Sequence, residues 1–437
     1  MQIDFEHVGR WATERKLPYT TLRSPTWLPE VRQLVEKELD PDDNEVTATM
    51  KTLTRREDGK PLHAAIVGWG KCLPPAVLTN ADLATFLDTD DEWIASRTGM
   101  RERRISHVPL GEIIHVAAAR ALACAGMEAG ELDLIIVGST LGDELAPNVA
   151  SGTQKRLQAR NAAAMDVNTA CTSFLYGLSS ATALIRTGVI RTALVVGAEA
   201  PSPFMDWDDR NTAVLFGDGC GAAVLQATHR EEGLLSERLG CYGESRDILD
   251  IRGVGARYAN HGIPCGYTSW NFDGQEIFKK AVIGMAQASQ DALAKRGLAI
   301  GDVDLMVPHQ ANRRIIDAVG KRVGIDPARV FVNVQRYGNM SAATVPVALV
   351  EALEEGRVKP GATLLLPAFG AGLSWCAHVV RWGERTTPLG TSDLALPPCD
   401  RTGLELVNDL RARRAIYHQA AAPFIEAARH LLDEPAA

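Results

Sequence analysis

No apolar run in this 437-residue sequence approaches the roughly 20 residues a helix needs to cross a bilayer, so no membrane span is expected. Basic residues are in the minority. Lys and Arg number 46 against 54 Asp and Glu, and the net charge of −8 argues against a nucleic-acid-binding surface, which needs a basic stripe. It leaves room for a local basic patch facing an acidic partner. The eight cysteines are scattered, with no CxxC pair and no zinc-ligand spacing, so no metal site is expected and reduced, cytoplasmic thiols fit best. The opening residues, with Asp4, Glu6 and Arg10, lack the pattern of a signal peptide. What is left is an ordinary soluble composition, 46% hydrophobic and 23% charged, long enough for two domains or one large layered unit.

What is present centres on Asp166-Val-Asn-Thr-Ala-Cys171-Thr-Ser-Phe-Leu-Tyr-Gly177. A β-type run, Ala162 to Val167, ends in small polar residues. Cys171 then opens a segment whose apolar residues Phe174, Leu178, Ala181 and Ile185 recur at helical spacing. A thiol at a helix N-terminus meets unpaired N–H groups and the positive end of the macrodipole, which favour thiolate over thiol. Such a cysteine can carry an acyl group. Taken alone it is as well explained as a small buried hydrophobe.

Taken in order, Met1 to Leu62 reads as an appendage with one helix over Pro25–Leu39. A strand begins at His63, and Thr89 to Arg104 reads as a short helix followed by a basic loop. From Leu110 helix and strand alternate: a helix around His115–Ala125, a strand over Leu132–Val137, another over Ala193–Val196, and a glycine-lined turn at Phe216 entering a further strand. This alternation predicts an α/β fold with buried sheets. An internal echo suggests duplication. Ala121-Leu-Ala-Cys-Ala-Gly126 through Leu134 resembles Ala292-Leu-Ala-Lys-Arg-Gly297 through Leu305, and the helix–glycine–strand segments 181–197 and 348–370 also correspond.

Two further polar residues sit at comparable places. His309, in Asp304-Leu-Met-Val-Pro-His309-Gln-Ala-Asn312, follows a buried strand. Asn339 follows the β-like Phe331-Val-Asn-Val and precedes a helix. Either alone is more simply a cap or a satisfied polar residue. Together with Cys171 they occupy the strand ends where α/β folds gather their reacting groups.

Asn168-Thr-Ala-Cys-Thr-Ser-Phe174, Phe216-Gly-Asp-Gly-Cys-Gly-Ala222, Pro308-His-Gln-Ala-Asn-Arg-Arg314, Gly338-Asn-Met-Ser-Ala-Ala343 and Phe369-Gly-Ala-Gly-Leu-Ser-Trp375 occur in that order. In them the chain resembles the thiolase-like condensing enzymes, specifically the β-ketoacyl-[acyl-carrier-protein] synthase III family, from about His63 to Trp382. The resemblance implies an α/β fold of the duplicated, five-layered αβαβα kind: an extension at 1–62, halves at 63–228 and 229–382, and a second extension at 383–437. It implies ping-pong chemistry, with an acyl-CoA loading Cys171 and malonyl-acyl-carrier protein then losing CO2 to give an enolate that attacks the acyl-cysteine. His309 and Asn339 would donate to that enolate, and the N–H groups of Cys171 and Ala371 would form an oxyanion hole. The family usually has glycine where Ala371 stands.

The same resemblance assigns Trp93, Arg97 and Arg210 to the CoA adenine region, and Asn312 and Arg314 to the pantetheine tunnel and its mouth. Arg314, Lys321 and Arg322 would form a basic face for the carrier protein. Ala146, Phe272 and Phe369 would line the acyl pocket, with Ala146 reaching across a homodimer to close it. Some relatives carry phenylalanine there, so alanine implies primers longer or more branched than acetyl, unless Leu145 or Phe204 fills the space. No metal or redox cofactor is implied. The rivals are acyl transfer to an alcohol or amine, condensation of two acyl-CoAs without decarboxylation, and a non-catalytic partner subunit. The intact Asn339 speaks against the first, the want of an extra base near the cysteine against the second, and Cys171 itself against the third. The tail has a proline-rich link, Thr387 to Pro398, and an amphipathic helix over Leu404–His418, for which the resemblance gives no role.

Overall fold

The computed structural model describes residues 61–256, 258 and 268–427, so the helix expected over Pro25–Leu39 lies outside the described residues. Strand β1 (His63–Cys72) is apolar almost throughout and largely buried. Strand β2 (Ala76–Thr79), helix α1 (Asp91–Thr98) and strand β3 (Glu102–Ile105) follow, with β2 and β3 paired antiparallel. The stretch read as a basic loop is thus mostly strand. Its alternation is hidden by charge, because the inward position is Arg103, whose buried guanidinium donates to Asn80 Oδ1 at 2.7 Å and to the Val214 carbonyl at 2.5 Å.

The first half continues through α2 (Leu110–Ala125), β4 (Leu134–Gly138), α3 (Val149–Leu157), β5 (Ala163–Val167), α4 (Ser173–Arg186), β6 (Thr192–Glu199) and β7 (Gly219–Thr228). Five of its seven strands form one sheet in the order β1-β7-β6-β4-β5. The second half adds β8 (Gly233–Cys241), the ribbon strands β9 (Leu249–Arg252) and β10 (Ser269–Phe272), α5 (Gly274–Ala294), β11 (Leu305–Met306), α6 (Arg313–Val323), α7 (Thr344–Glu354), β12 (Thr363–Gly370) and β13 (Ser374–Arg381). Its sheet runs β8-β13-β12-β11.

The two sheets repeat one plan. In each, the first strand pairs antiparallel with the last, the last pairs antiparallel with its predecessor, and the next neighbour is parallel. The corresponding helices also stop alike, on glycines in the left-handed region at φ 64° (Gly126) and 65° (Gly297), and at 77° (Gly188) and 65° (Gly356). One strand breaks the repeat. The counterpart of β5 would be the stretch before Asn339, expected as a strand, yet only Val330 makes a single bridge to Met306, and Val334–Tyr337 is a one-turn helix. Asn333 and Gln310 explain it. Asn333 N–H donates to Gln310 Oε1 and its Nδ2 donates to Glu351, so the backbone is held by side chains and not by a ladder.

Between the sheets lie α4 and α7. Phe174, Leu178, Ala181 and Ile185 of α4 and Val345, Ala348 and Leu349 of α7 pack against Ile136 and Val195 of one sheet and Leu364 and Leu366 of the other. Helices α2 and α3 cover the outer face of the first sheet, and α5 and α6 that of the second. This is the five-layered αβαβα arrangement that the resemblance implies. Each large apolar side chain buried in the central layer contributes about 1.5–3 kcal/mol, which makes this layer the rigid base on which the nucleophile stands.

The segment after Trp382 packs back onto the first half. Arg385 lies over the Trp69 ring at 5.0 Å, Leu389 N–H donates to the Cys124 carbonyl, and Leu394 and Leu396 join the core under α2. Helix α8 (Gly403–Ala427), which contains the amphipathic stretch expected from sequence, buries Leu406 and Val407 in the cluster that holds Leu78 and Ile105. Its Arg411 and Arg414 pair with Asp208 and Asp206 at 2.9 and 3.3 Å.

Candidate active site

Cys171 sits at an elbow between β5 and α4. Ala170, at φ 50°, opens a 3-10 turn over Ala170–Thr172, and α4 begins at Ser173 without a capping side chain. The first N–H groups of α4 are therefore not taken by a cap. Hydroxyls lock the elbow instead. Thr172 Oγ1 donates to the Thr169 carbonyl at 2.7 Å, Ser173 Oγ to the Ala170 carbonyl at 2.7 Å, and Ser374 Oγ to the Thr169 carbonyl at 2.9 Å. The 370–371 segment lies hard against the nucleophile. A Cβ built on Gly370 would stand 2.7 Å from the Cys171 nitrogen, so only glycine fits. Ala371 follows with φ outside the left-handed region, and alanine in place of the family's usual glycine carries no backbone strain.

The electrostatics correct one expectation. Burial pushes the Cys171 thiol up to about 12, with Glu199 adding to the rise and the Ser341 hydroxyl opposing it. The helix N-terminus favours the thiolate, but the surrounding protein outweighs it, and at neutral pH Cys171 is a thiol.

His309 is almost fully buried, and burial depresses it to about 3, so the ring is neutral. Thr344 Oγ1 lies 2.6 Å from Nδ1 and donates to the Ser341 carbonyl at 3.0 Å. A hydroxyl has one proton. Held on Ser341, it makes Nδ1 the protonated nitrogen; turned to Nδ1, the closer neighbour, it leaves the ring proton on Nε2. Asn339 is oriented without such a choice. Ser341 N–H donates to Asn339 Oδ1 at 2.8 Å, so the remaining amide group, Nδ2, is free as a donor. The backbone of Asn339 is fixed by bonds to Leu215 and Gly217.

Cys171, His309, Asn339 and Ala371 line one cavity of about 480 Å³, together with Phe272, Phe369 and Asn312. Trp93, Arg97, Arg210, Arg314, Lys321, Arg322 and Ala146 are not among its lining residues. Three of these form a cluster: the guanidiniums of Arg97 and Arg210 lie 4.5 and 4.8 Å from the centroid of the Trp93 ring. Asn312 links this cluster to the cavity, since its Nδ2 donates to the Arg97 carbonyl while its Oδ1 caps α6. Arg314, Lys321 and Arg322 are exposed on α6, with Arg314 5.9 Å from the Phe278 ring, and none makes an ion pair among the described residues. Ala146 and Leu145 are exposed, Leu145 by 92%. Phe204 is absent from the cavity lining, and its carbonyl accepts from Trp270 Nε1.

Sequence reasoning missed Glu199. This carboxyl is 1% exposed at the end of β6 and lines the same cavity. Its Oε1 accepts from Ser139 Oγ and from the N–H groups of Thr140 and Leu141 at 2.8–3.0 Å, while Oε2 has no hydrogen-bond partner among the described residues. A carboxylate closing the otherwise apolar run Thr192–Glu199 was the signal available. Ser341, at φ 47°, and Thr344 were also overlooked, though both lie beside Asn339 in sequence.

Two family profiles match the chain: 3-oxoacyl-[acyl-carrier-protein (ACP)] synthase III at residues 165–243, and the C-terminal portion of the same family at 293–382. Beta-ketoacyl-[acyl-carrier-protein] synthase III 2 of Vibrio cholerae is 53% identical over 346 residues, which span 79% of this chain and 96% of that relative. Among solved structures, 3-oxoacyl-[acyl-carrier-protein] synthase III from Aquifex aeolicus aligns with a TM-score of 0.68 and 40% identity, over 73% of this chain and 100% of that one. The priming β-ketosynthase of the R1128 polyketide pathway aligns with a TM-score of 0.70 and 32% identity, over 74% and 98%.

Proposed function

The chain belongs to the β-ketoacyl-[acyl-carrier-protein] synthase III family, and from that premise we propose how its residues carry the family's reaction. That reaction condenses an acyl-CoA primer with malonyl-acyl-carrier protein, with loss of CO2, and so initiates fatty-acid or polyketide synthesis. Cys171 attacks the thioester carbonyl of the primer, and its own N–H with that of Ala371 stabilises the oxyanion as CoA leaves. Malonyl-carrier protein then enters. On loss of CO2 the negative charge moves to the thioester oxygen, where Asn339 Nδ2 and His309 Nε2–H receive it. The Thr344 proton is then turned to Nδ1. The enolate carbon attacks the acyl-cysteine, and the Cys171 sulfur departs.

The observation that carries this reading is the convergence of Cys171, His309 and Asn339 on one cavity, with Asn339 held so that its amide donor is free. The Trp93–Arg97–Arg210 cluster suits a nucleotide, which an aromatic face and guanidiniums read well. Arg314, Lys321 and Arg322 of α6, which make no ion pair among the described residues, suit an acidic carrier protein. A homodimer is supported by the free edge of β5, which carries the half-buried Met165 and Val167, and by the exposed Leu145 beside Ala146. No helix among the described residues is long and apolar enough to cross a membrane. The test is product formation from malonyl-carrier protein and a panel of acyl-CoAs. One CO2 released per β-ketoacyl-carrier is expected, and acylation of small alcohols or amines without malonyl-carrier protein would overturn it.

A further inference from the structure

The family profile matched by the second half ends at residue 382, yet helix α8 beyond it touches the segments that meet at Arg210. Arg210 Nη1 donates to the Asp88 carbonyl at 2.6 Å, and Arg210 itself follows the acidic turn Asp206-Trp-Asp-Asp209. Arg411 of α8 joins the same two segments. Its guanidinium lies 4.3 Å from the Phe86 ring centroid and donates through Nε and Nη2 to Asp208 Oδ1 at 3.2 and 2.9 Å. Arg414 pairs with Asp206 at 3.3 Å and donates to the Thr268 carbonyl, just before β10, at 3.0 Å. The Thr268 hydroxyl and Trp270 Nε1 in turn donate to the Phe204 carbonyl, two residues before the acidic turn, at 2.5 and 2.9 Å. Underneath, Leu406 and Val407 of α8 share an apolar cluster with Trp207, and Trp93 and Trp270 pack against it.

We propose that α8 braces the nucleotide end of the acyl-CoA site, with Arg411 and Arg414 as positioning residues that neutralise Asp208 and Asp206 and hold the turn presenting Arg210. This rests on reading the Trp93–Arg97–Arg210 cluster as the nucleotide site. The two ion pairs are a weak source of stability, because the carboxylates of Asp206 and Asp208 are 39% and 71% exposed. Their charge matters more for what stands beside them. A nucleotide brings phosphates, and three carboxylates lie within four positions of Arg210. Asp209 is occupied as the cap of the short helix Arg210–Ala213, accepting from the Asn211 N–H at 2.9 Å and the Thr212 hydroxyl at 2.7 Å. Left bare, the other two would repel the anion that Arg210 attracts. The brace therefore acts on binding of the CoA ester and not on the chemistry at Cys171.

The test is single-turnover acyl loading, followed by intact-protein mass, against the concentration of acetyl-CoA and of acetyl-pantetheine, which carries the same thioester without the nucleotide. Arg411→Gln should raise the half-saturating acetyl-CoA concentration about fivefold and leave the limiting rate within about twofold. Acetyl-pantetheine should be affected by less than about twofold, since it lacks the phosphates the turn would repel. The acetyl-CoA effect should shrink in about 0.5 M salt. Adding Asp208→Asn, which removes the orphaned charge, should restore the wild-type value. Arg413→Gln takes the same charge from an exposed position on α8 and should change neither substrate. An unchanged half-saturation in Arg411→Gln, an equal loss with acetyl-pantetheine, or no recovery with Asp208→Asn overturns the brace. A wild type that half-saturates at the same concentration of both substrates overturns instead the nucleotide reading on which it depends.

Discussion

Replacing Asn339 with aspartate separates its two jobs. Oδ1 accepts the Ser341 N–H at 2.8 Å, and Nδ2 is the donor assigned to the enolate. Aspartate keeps the acceptor and removes the donor, so the turn that sets α7 should survive. Losing one oxyanion donor costs about 10²–10³ in rate, or roughly 2.7–4 kcal/mol in the transition state. A carboxylate beside the growing negative charge adds repulsion, so condensation should fall by at least that factor. Asn339→Ala loses the donor and also leaves the Ser341 N–H, in a residue only 7% exposed, without its partner. That should lower stability by about 1 kcal/mol where aspartate does not. The assay is paired: acyl loading by intact mass, and β-ketoacyl-carrier formation under single-turnover conditions. Loading should stay within a few fold of wild type in both variants. If loading and condensation fall together, Asn339 does not serve the enolate and the proposed division of roles is wrong.

The other predictions draw on different parts of the molecule. Ala146→Phe should shift primer preference toward acetyl-CoA; two methylenes at about 0.8 kcal/mol each set a roughly 15-fold change in the butyryl-to-acetyl ratio of kcat/KM, and an unchanged ratio refutes the assignment. Thr344→Val should slow condensation while sparing loading, because the neighbour that can hold the His309 proton on Nε2 is gone; imidazole 15N shifts would report the tautomer directly. Glu351 accepts from Tyr337, Lys71, Asn333 and Arg336 at 2.5–3.0 Å, and although burial works against its charge these bonds hold the carboxyl below its usual 4.5. Its folded value is lowered, so its contribution to stability is complete above about 4.5 and is lost as pH falls through the native value. Glu351→Gln should therefore lower the melting temperature at pH 7, by on the order of 3 kcal/mol of stability, and the difference should shrink below pH 4.

Much of this was legible in the residues. Helical spacing after Cys171 and the glycine stops at 126, 188, 297 and 356 gave the α/β alternation and its repetition, because each signal is local and periodic, whereas the five layers came only with the family resemblance. The β-like Phe331–Val334 misled, since nothing in its own side chains shows that Gln310 and Glu351, distant in sequence, take over its hydrogen bonds. The state of Cys171 was misjudged for a related reason. The helix N-terminus is readable in sequence, but burial and Glu199 act across the fold and reverse the balance. Arg103 was hidden because a charged residue seldom marks the inward face of a strand. The cluster at Trp93 follows from residues 117 positions apart in the extreme case of Trp93 and Arg210, which a motif can name but not bring together.

In the proposed function one thiol carries the acyl group between two half-reactions. Cys220 and Cys376 are fully buried, whereas Cys241 is exposed and donates to the Gly372 carbonyl near the site, so Cys241 is the competitor to watch. The direct measurement is to load the protein with acyl-CoA, remove free CoA esters, map the adduct by peptide mass, and then add malonyl-carrier protein. A single adduct on Cys171 is expected, and it should disappear as β-ketoacyl-carrier and CO2 form in equal amounts. An adduct on Cys241 that is consumed instead, or acyl-Cys171 that malonyl-carrier protein leaves intact, would contradict it.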